Sequence, residues 1–220
     1  FVTTKLWPGN AVWGQTPKTT ESTIASLNES LERLGLDYVD LYLIHAPFDR
    51  EQRLAQWRGM VKLREQKKAL AIGVSNFNVS HIEELESAGL PLPQANQIEL
   101  HPWSQKPELV SYLDRKGIVP IAYSSLVPLS TWRRAPGHDS AKTDAMRADS
   151  ERADSPFKRL AAKYGVSEAQ LLLRWGVQKG YPVLPKSTKP ERMRQNSDLF
   201  SFRISEDDMA ELAKMDRGDG

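Results

Sequence analysis

The sequence predicts an α/β fold on a parallel sheet, a (β/α)8 TIM barrel with about six of the eight βα units in this chain. Three observations carry that expectation. Short apolar runs of buried-strand type alternate with amphipathic helical stretches, which implies parallel pairing. The end of every run is polar: Lys5, His45, Ser75-Asn76, Gln97 with Glu99 and His101, Tyr123-Ser124, and Lys186-Ser187. A barrel spreads its functional side chains over many strand ends in this way, whereas a doubly wound sheet gathers them at one switch point. Finally, no G-x-G-x-x-G follows any strand, so a Rossmann dinucleotide site has no support.

The elements follow in order. Residues 1–7 are strand-like and are broken by Pro8-Gly9-Asn10. Residues 17–34 predict a helix with Ile24, Leu27, Leu31 and Leu34 on one stripe. Val39 to His45 is a strand ended by Ala46-Pro47, and residues 51–68 a helix whose apolar positions are Leu54, Trp57, Val61 and Leu63. Its last turns are rich in Lys and Arg, as the helix dipole favours. Strands are then expected at 71–74, 95–100, 119–123 and 181–184, with helices at 79–88, 106–116, 155–164, 167–178 and from 190 onward. The polar stretch 127–154 predicts a long loop, either solvated or a lid that orders on cofactor binding.

Composition narrows the function. Hydrophobic residues make up 40% and charged ones 26%, typical of a soluble globular chain, and one domain over 1–220 is expected. A net charge of +2 gives no reason to expect a nucleic-acid partner. The absence of cysteine excludes disulfides, thiolate catalysis and Cys-ligated zinc, and fits a cytoplasmic protein. No apolar run has the length of a membrane span. Four scattered histidines form no metal-ligand cluster.

One peptide points to an anion. In Pro185-Lys186-Ser187-Thr188-Lys189-Pro190-Glu191-Arg192, hydroxyls and cations stand between a strand-like run and a helix N-terminus. Backbone N–H groups there favour a phosphate, and the planar fork of Arg192 suits bidentate contact with one.

Taken together, Thr3-Thr4-Lys5-Leu6-Trp7, Asp40 to Pro47 around His45, Gly73-Val74-Ser75-Asn76-Phe77, Asn96-Gln97-Ile98-Glu99-Leu100-His101-Pro102, Ala122-Tyr123-Ser124 and Pro185-Lys186-Ser187 resemble the aldo-keto reductases. The motifs run the whole chain in the family's order. The resemblance implies reduction of small-molecule aldehydes or ketones by NADPH through an Asp/Tyr/Lys/His tetrad. Lys5 matches the lysine that lowers the pKa of the proton-donating tyrosine, and His45 the histidine that hydrogen-bonds the substrate carbonyl. A cation beside a phenol favours its ionised form, so such a pair can move a proton near neutral pH. Ser75, Asn76 and Gln97 match the groups that hold the nicotinamide carboxamide. Tyr123 matches the aromatic that stacks on its ring, and Ser124 and Leu126 the segment over the pyrophosphate. Lys186, Ser187 and Arg192 match the grip on the adenosine 2′-phosphate, and Gln195 and Asn196 the adenine contacts. Glu99, His101 and Pro102 belong to the motif as structural residues, and a monomer is the expected state.

The departures carry expectations too. Ala46 follows His45 where many relatives place tryptophan, which implies a wider pocket lined by Trp7, Phe48 and Trp103. Ser125 and Pro128 differ from the usual residues of the pyrophosphate segment. The family's aspartate and tyrosine lie upstream of the tetrad lysine, so the domain is expected to be incomplete at its N-terminus, and at its C-terminus likewise. Two other functions remain open: a barrel that binds the nicotinamide cofactor without turnover, as a sensor or regulatory subunit, and an unrelated barrel enzyme.

Overall fold

Strands β1 (Thr3–Leu6), β2 (Val39–Ile44), β3 (Ala69–Ser75), β4 (Ala95–Glu99) and β5 (Val119–Tyr123) form a five-stranded sheet in chain order. This computed structural model describes residues 1–129, 152 and 154–218. The pairings from β1 through β4 are parallel, and helices follow the strands: α1 (Thr20–Leu34), α2 (Arg53–Glu65), α3 (Val79–Ser87) and α4 (Pro107–Arg115). After β5 come α5 (Pro156–Tyr164), α6 (Glu168–Gln178), α7 (Pro190–Ser197) and α8 (Glu206–Ala213). The chain packs as two compact units, Phe1–Ile98 with Glu108–Pro120, and Glu99–Pro107 with Ile121–Gly220.

In the first unit, β2 and the sheet-facing sides of α1 and α2 make the core. A Thr19–Ser22 capping box starts α1 and left-handed Gly35 (φ 66°) ends it. Leu27 and Leu31 are buried as their spacing predicts, but Leu34 is 50% exposed and Thr23 takes an inward place instead. On α2 the buried face is Arg53, Gln56, Trp57, Met60 and Leu63, so the expected Leu54 and Val61 are displaced toward its flanks. Gly59 decides how closely α2 approaches α1, because a Cβ there would stand 2.9 Å from the Thr20 carbonyl oxygen and the Thr23 side chain. The Trp57 indole N–H donates to the Pro91 carbonyl at 2.8 Å, which lets a polar-edged ring be fully buried.

In the second unit, α5 and α6 pack through Phe157, Leu160, Leu171, Leu172 and Trp175. Gln178 exchanges two hydrogen bonds with the backbone of Ile204, and Lys163 and Tyr164 both donate to the buried carboxylate of Asp208. These bonds fasten α8, which the sequence pattern did not predict. The strand expected at 181–184 does not form; only an isolated parallel bridge joins Ala122 to Val183. Pro182 and Pro185 have no N–H to give a ladder, so the segment pairs at one point, where Ala122 N donates to Pro182 O at 2.8 Å. The expected sixth strand is therefore a bridge. Of the predicted loop, Val127–Leu129 is a 3-10 turn, and the lid expectation falls on residues 130–151 and 153, outside those described.

Candidate active site

Register builds the first part of the site. Lys5 pairs with Leu43, Leu6 with Ile44, Ile44 with Val74, Val74 with Asn96 and Ser75 with Gln97. Trp7, His45, Ser75 and Gln97 thus follow one row of the sheet, and Lys5 lies two rows behind His45. Side chains two apart along a strand share a face, so Lys5, His45, Ser75 and Gln97 project to the same side. In the row of Lys5 and Leu43 the third strand places Gly73, where a Cβ would meet the Ala95 carbonyl oxygen at 2.5 Å and the Leu43 side chain at 2.8 Å.

Hydrogen bonds lock the strand ends. The Ser75 hydroxyl donates to the Gln97 carbonyl at 2.7 Å, and the Asn76 backbone N–H donates to the same oxygen at 3.0 Å. The Asn76 side-chain amide donates to the His45 carbonyl at 3.0 Å and to the Ser75 hydroxyl at 3.2 Å. Asn76 can do this because its backbone is left-handed (φ 62°), a conformation asparagine tolerates better than most residues. Gln97 is only 4% exposed, yet its side-chain amide has no hydrogen-bond partner among the described residues. It is a donor and acceptor pair fit for a carboxamide.

Lys5 is half-buried, and burial pulls its ammonium below the ordinary lysine value. Among the described residues it has no ion-pair or hydrogen-bond partner. The His45 imidazole is lowered first by burial and then by the charge of Lys5, which keeps it neutral at neutral pH. Trp7 packs edge-on against the His45 ring at 5.2 Å between centroids, stacks on Trp13 at 6.1 Å and meets Phe48 at 5.4 Å. The Trp7 indole N–H is taken up by Gln15 at 2.8 Å, so the cluster presents ring faces rather than a donor. Trp13 and Gln15 were missed in the sequence; an aromatic inside a Pro-Gly-Asn breaker loop was the available signal. Ala46 is buried and Phe48 is 40% exposed. Tyr42 is fully buried, its hydroxyl has no hydrogen-bond partner among the described residues, and burial pushes its phenol far up, so it is a weak acid shut away from solvent.

The second unit carries the other predicted residues. Tyr123, Ser124 and Leu126 are half-buried at the end of β5, with Ser124 left-handed (φ 55°), and the Ser125 hydroxyl is buried without a partner among the described residues. Lys186 and Arg192 are exposed and Ser187 half-buried. Among the described residues neither Lys186 nor Arg192 has an anionic partner, and the N-terminus of α7 has no side-chain cap. Cations and open N–H groups here fit a phosphate. Gln195 and Asn196 are half-buried on α7. Trp103 is buried against Phe157, with the Arg217 guanidinium 4.6 Å from its ring centre. His101 is buried and bonded through Nε2 to Glu99 at 3.0 Å.

The family model described as "Aldo/keto reductase family" matches residues 1–217. This chain belongs to that family. It is 37% identical over 197 residues to an uncharacterized oxidoreductase of Schizosaccharomyces pombe, covering 89% of this chain and 64% of that protein. Against the glyoxal reductase of Bacillus subtilis the identity is 36% over 217 residues, covering 99% and 68%. The chain thus spans about two thirds of the curated relatives' length. The crystal structure of a Bombyx mori aldo-keto reductase in complex with NADP superposes with a TM-score of 0.81 at 35% identity, over 98% of this chain and 67% of that one. The parallel sheet and its intervening helices are accordingly those of the family's (β/α)8 barrel. No helix among the described residues is long and apolar enough to cross a membrane.

Proposed function

We propose that this aldo/keto reductase family protein reduces small aldehydes or ketones to alcohols with NADPH, and that Lys5 and His45 serve the reacting carbonyl. The observation that carries the reading is the shared face of Lys5, His45, Ser75 and Gln97, with a half-buried lysine that lacks a partner among the described residues. Bound NADPH would supply the hydride. Ser75, Asn76 and Gln97 would hold the carboxamide, with the unengaged Gln97 amide as the strongest fit. Tyr123 would stack on the ring, and Ser124 and Leu126 would border the pyrophosphate. Lys186, Ser187 and Arg192 would take the 2′-phosphate, and Gln195 and Asn196 the adenine. The Bombyx mori relative crystallised with NADP supports that cofactor.

His45, held neutral, would donate a hydrogen bond to the carbonyl oxygen and polarise it as the carbon is reduced. The charge of Lys5 would favour the ionised form of a neighbouring phenol, which the family likeness implies is the proton donor to that oxygen. Trp7, Trp13, Phe48 and the small Ala46 leave ring faces on the substrate side, which suits an apolar carbonyl substituent. The same reading takes Trp103 as a pocket residue and the protein as a cytoplasmic monomer.

Lys5→Met tests it. The variant is expected to lose about 100-fold or more in kcat toward glyoxal and benzaldehyde, with NADPH binding by fluorescence little changed. Normal turnover in the variant sinks the assignment. Tight NADPH binding with no turnover in the unaltered protein replaces the reductase with a cofactor-binding sensor.

A further inference from the structure

Arg53 is a costly residue in an unusual place. It occupies the first position of α2, where the helix dipole disfavours a cation, and it is 6% exposed. Its guanidinium is paired with Glu84 of α3, and it donates to the Pro47 carbonyl at 3.2 Å, while its buried Nε has no partner among the described residues. Buried ion pairs of this kind are often no more stabilising than apolar residues of similar volume. Stability alone therefore gives a weak reason for an arginine here.

What the arginine does, and an apolar side chain could not, is grip the segment that leaves β2. Among the described residues the His45 imidazole makes no hydrogen bond, so its placement depends on its own backbone and on the Trp7 ring. That backbone is held at its own N–H, which donates to the Leu6 carbonyl at 3.0 Å, and beyond it at two carbonyls. Asn76 takes the His45 oxygen at 3.0 Å, and Arg53 takes the Pro47 oxygen two residues on. Glu84, which anchors Arg53, stands on the helix whose N-cap is Asn78, directly after Ser75-Asn76-Phe77. The two grips are thus joined through α3, and the loop bearing His45 is tied to the segment bearing Asn76.

We propose that Arg53 is a positioning residue for His45, acting through the Pro47 carbonyl with Glu84 as its anchor. The role rests on the reading of His45 as the group that contacts the carbonyl. Arg53→Met and Arg53→Lys discriminate it from a structural part. The methionine keeps apolar volume and the lysine keeps charge, but neither can reach both Pro47 and Glu84 with a planar fork.

Both variants are expected to unfold cooperatively and to bind NADPH within about two-fold of the unaltered protein, while kcat falls about ten-fold or more with KM little changed. The His45 imidazole resonances in NMR are expected to move in both. Folded variants with unchanged kcat and unchanged His45 resonances overturn the proposal. If neither folds, Glu84→Gln, which retains a hydrogen-bonding group, is expected to shift the same resonances, and their constancy overturns it equally. If the unaltered protein turns over no carbonyl, the reductase reading fails by itself, and the His45 resonances still decide whether Arg53 positions that ring.

Discussion

At the scale of the residue, the proposed site holds two basic side chains, Lys5 and His45, below their ordinary titration ranges, with Lys5 still a cation at neutral pH. Burial is the larger cause for His45 and the charge of Lys5 the smaller. The imidazole is therefore expected to titrate below the ordinary value of about 6.5, and Lys5→Met is expected to return only part of the shift. An NMR titration of the ring checks both statements; a midpoint above the ordinary value, or no response to Lys5→Met, contradicts them. The linkage has a definite sign. The unfolded chain accepts the proton more readily, so His45 costs nothing above its ordinary range and removes stability as pH falls through it. The positions of Lys5 and His45 toward strand ends on one face were legible in the sequence, because apolar runs end there and their motifs resemble a family; the roles given to them are proposed. Arg53 was not legible: it looked like one of several basic residues on an amphipathic helix, and only tertiary packing buries it. Trp13 escaped for the same reason, since a loop tryptophan gains meaning only when Trp7 and Phe48 close around it.

At the scale of the element, the strands were easier to foresee than their limits. Apolar runs located β1 through β5, but β3 spans Ala69–Ser75 where 71–74 was expected, because parallel pairing with β2 reaches back to Ala69 although Leu70 is 51% exposed. The last expected strand failed on Pro182 within it and Pro185 just after it, a local rule that hydrophobicity obscured. Helix α8 was missed because its stripe is thin, with only Asp208 and Leu212 buried, and its attachment is polar. Asp208 accepts from Lys163 at 2.7 Å and from the Tyr164 hydroxyl, and these bonds hold its carboxyl at about 2. Asp208→Asn is expected to cost about 1–2 kcal/mol in urea denaturation at neutral pH. Because the folded carboxyl is the stronger acid, this stabilisation is complete above the ordinary carboxylate range. It fades as pH falls through that range toward the folded value, so the variant and the unaltered protein converge in acid. A gap that persists unchanged in acid would assign the loss to packing instead.

At the scale of the whole molecule, cofactor choice can be read from stability without any turnover. A ligand that binds only the folded state raises its stability by about 2.7 kcal/mol at one hundred times the dissociation constant. For a chain of this size that is a rise in Tm of roughly 5–10 °C. NADPH at saturating concentration is expected to produce such a rise and NADH a smaller one, because in the proposed cofactor site the 2′-phosphate that NADH lacks would engage Lys186, Ser187, Arg192 and the uncapped start of α7. Lys186→Ala combined with Arg192→Ala is expected to lower the NADPH shift to that of NADH while leaving the NADH shift unchanged. Both residues are exposed and α7 buries none of its side chains, so the double variant should fold as the unaltered protein does. Equal shifts from the two nucleotides before mutation would remove the 2′-phosphate assignment from these residues. A loss of both shifts after mutation would mean instead that the pair grips a part of the nucleotide common to NADH and NADPH.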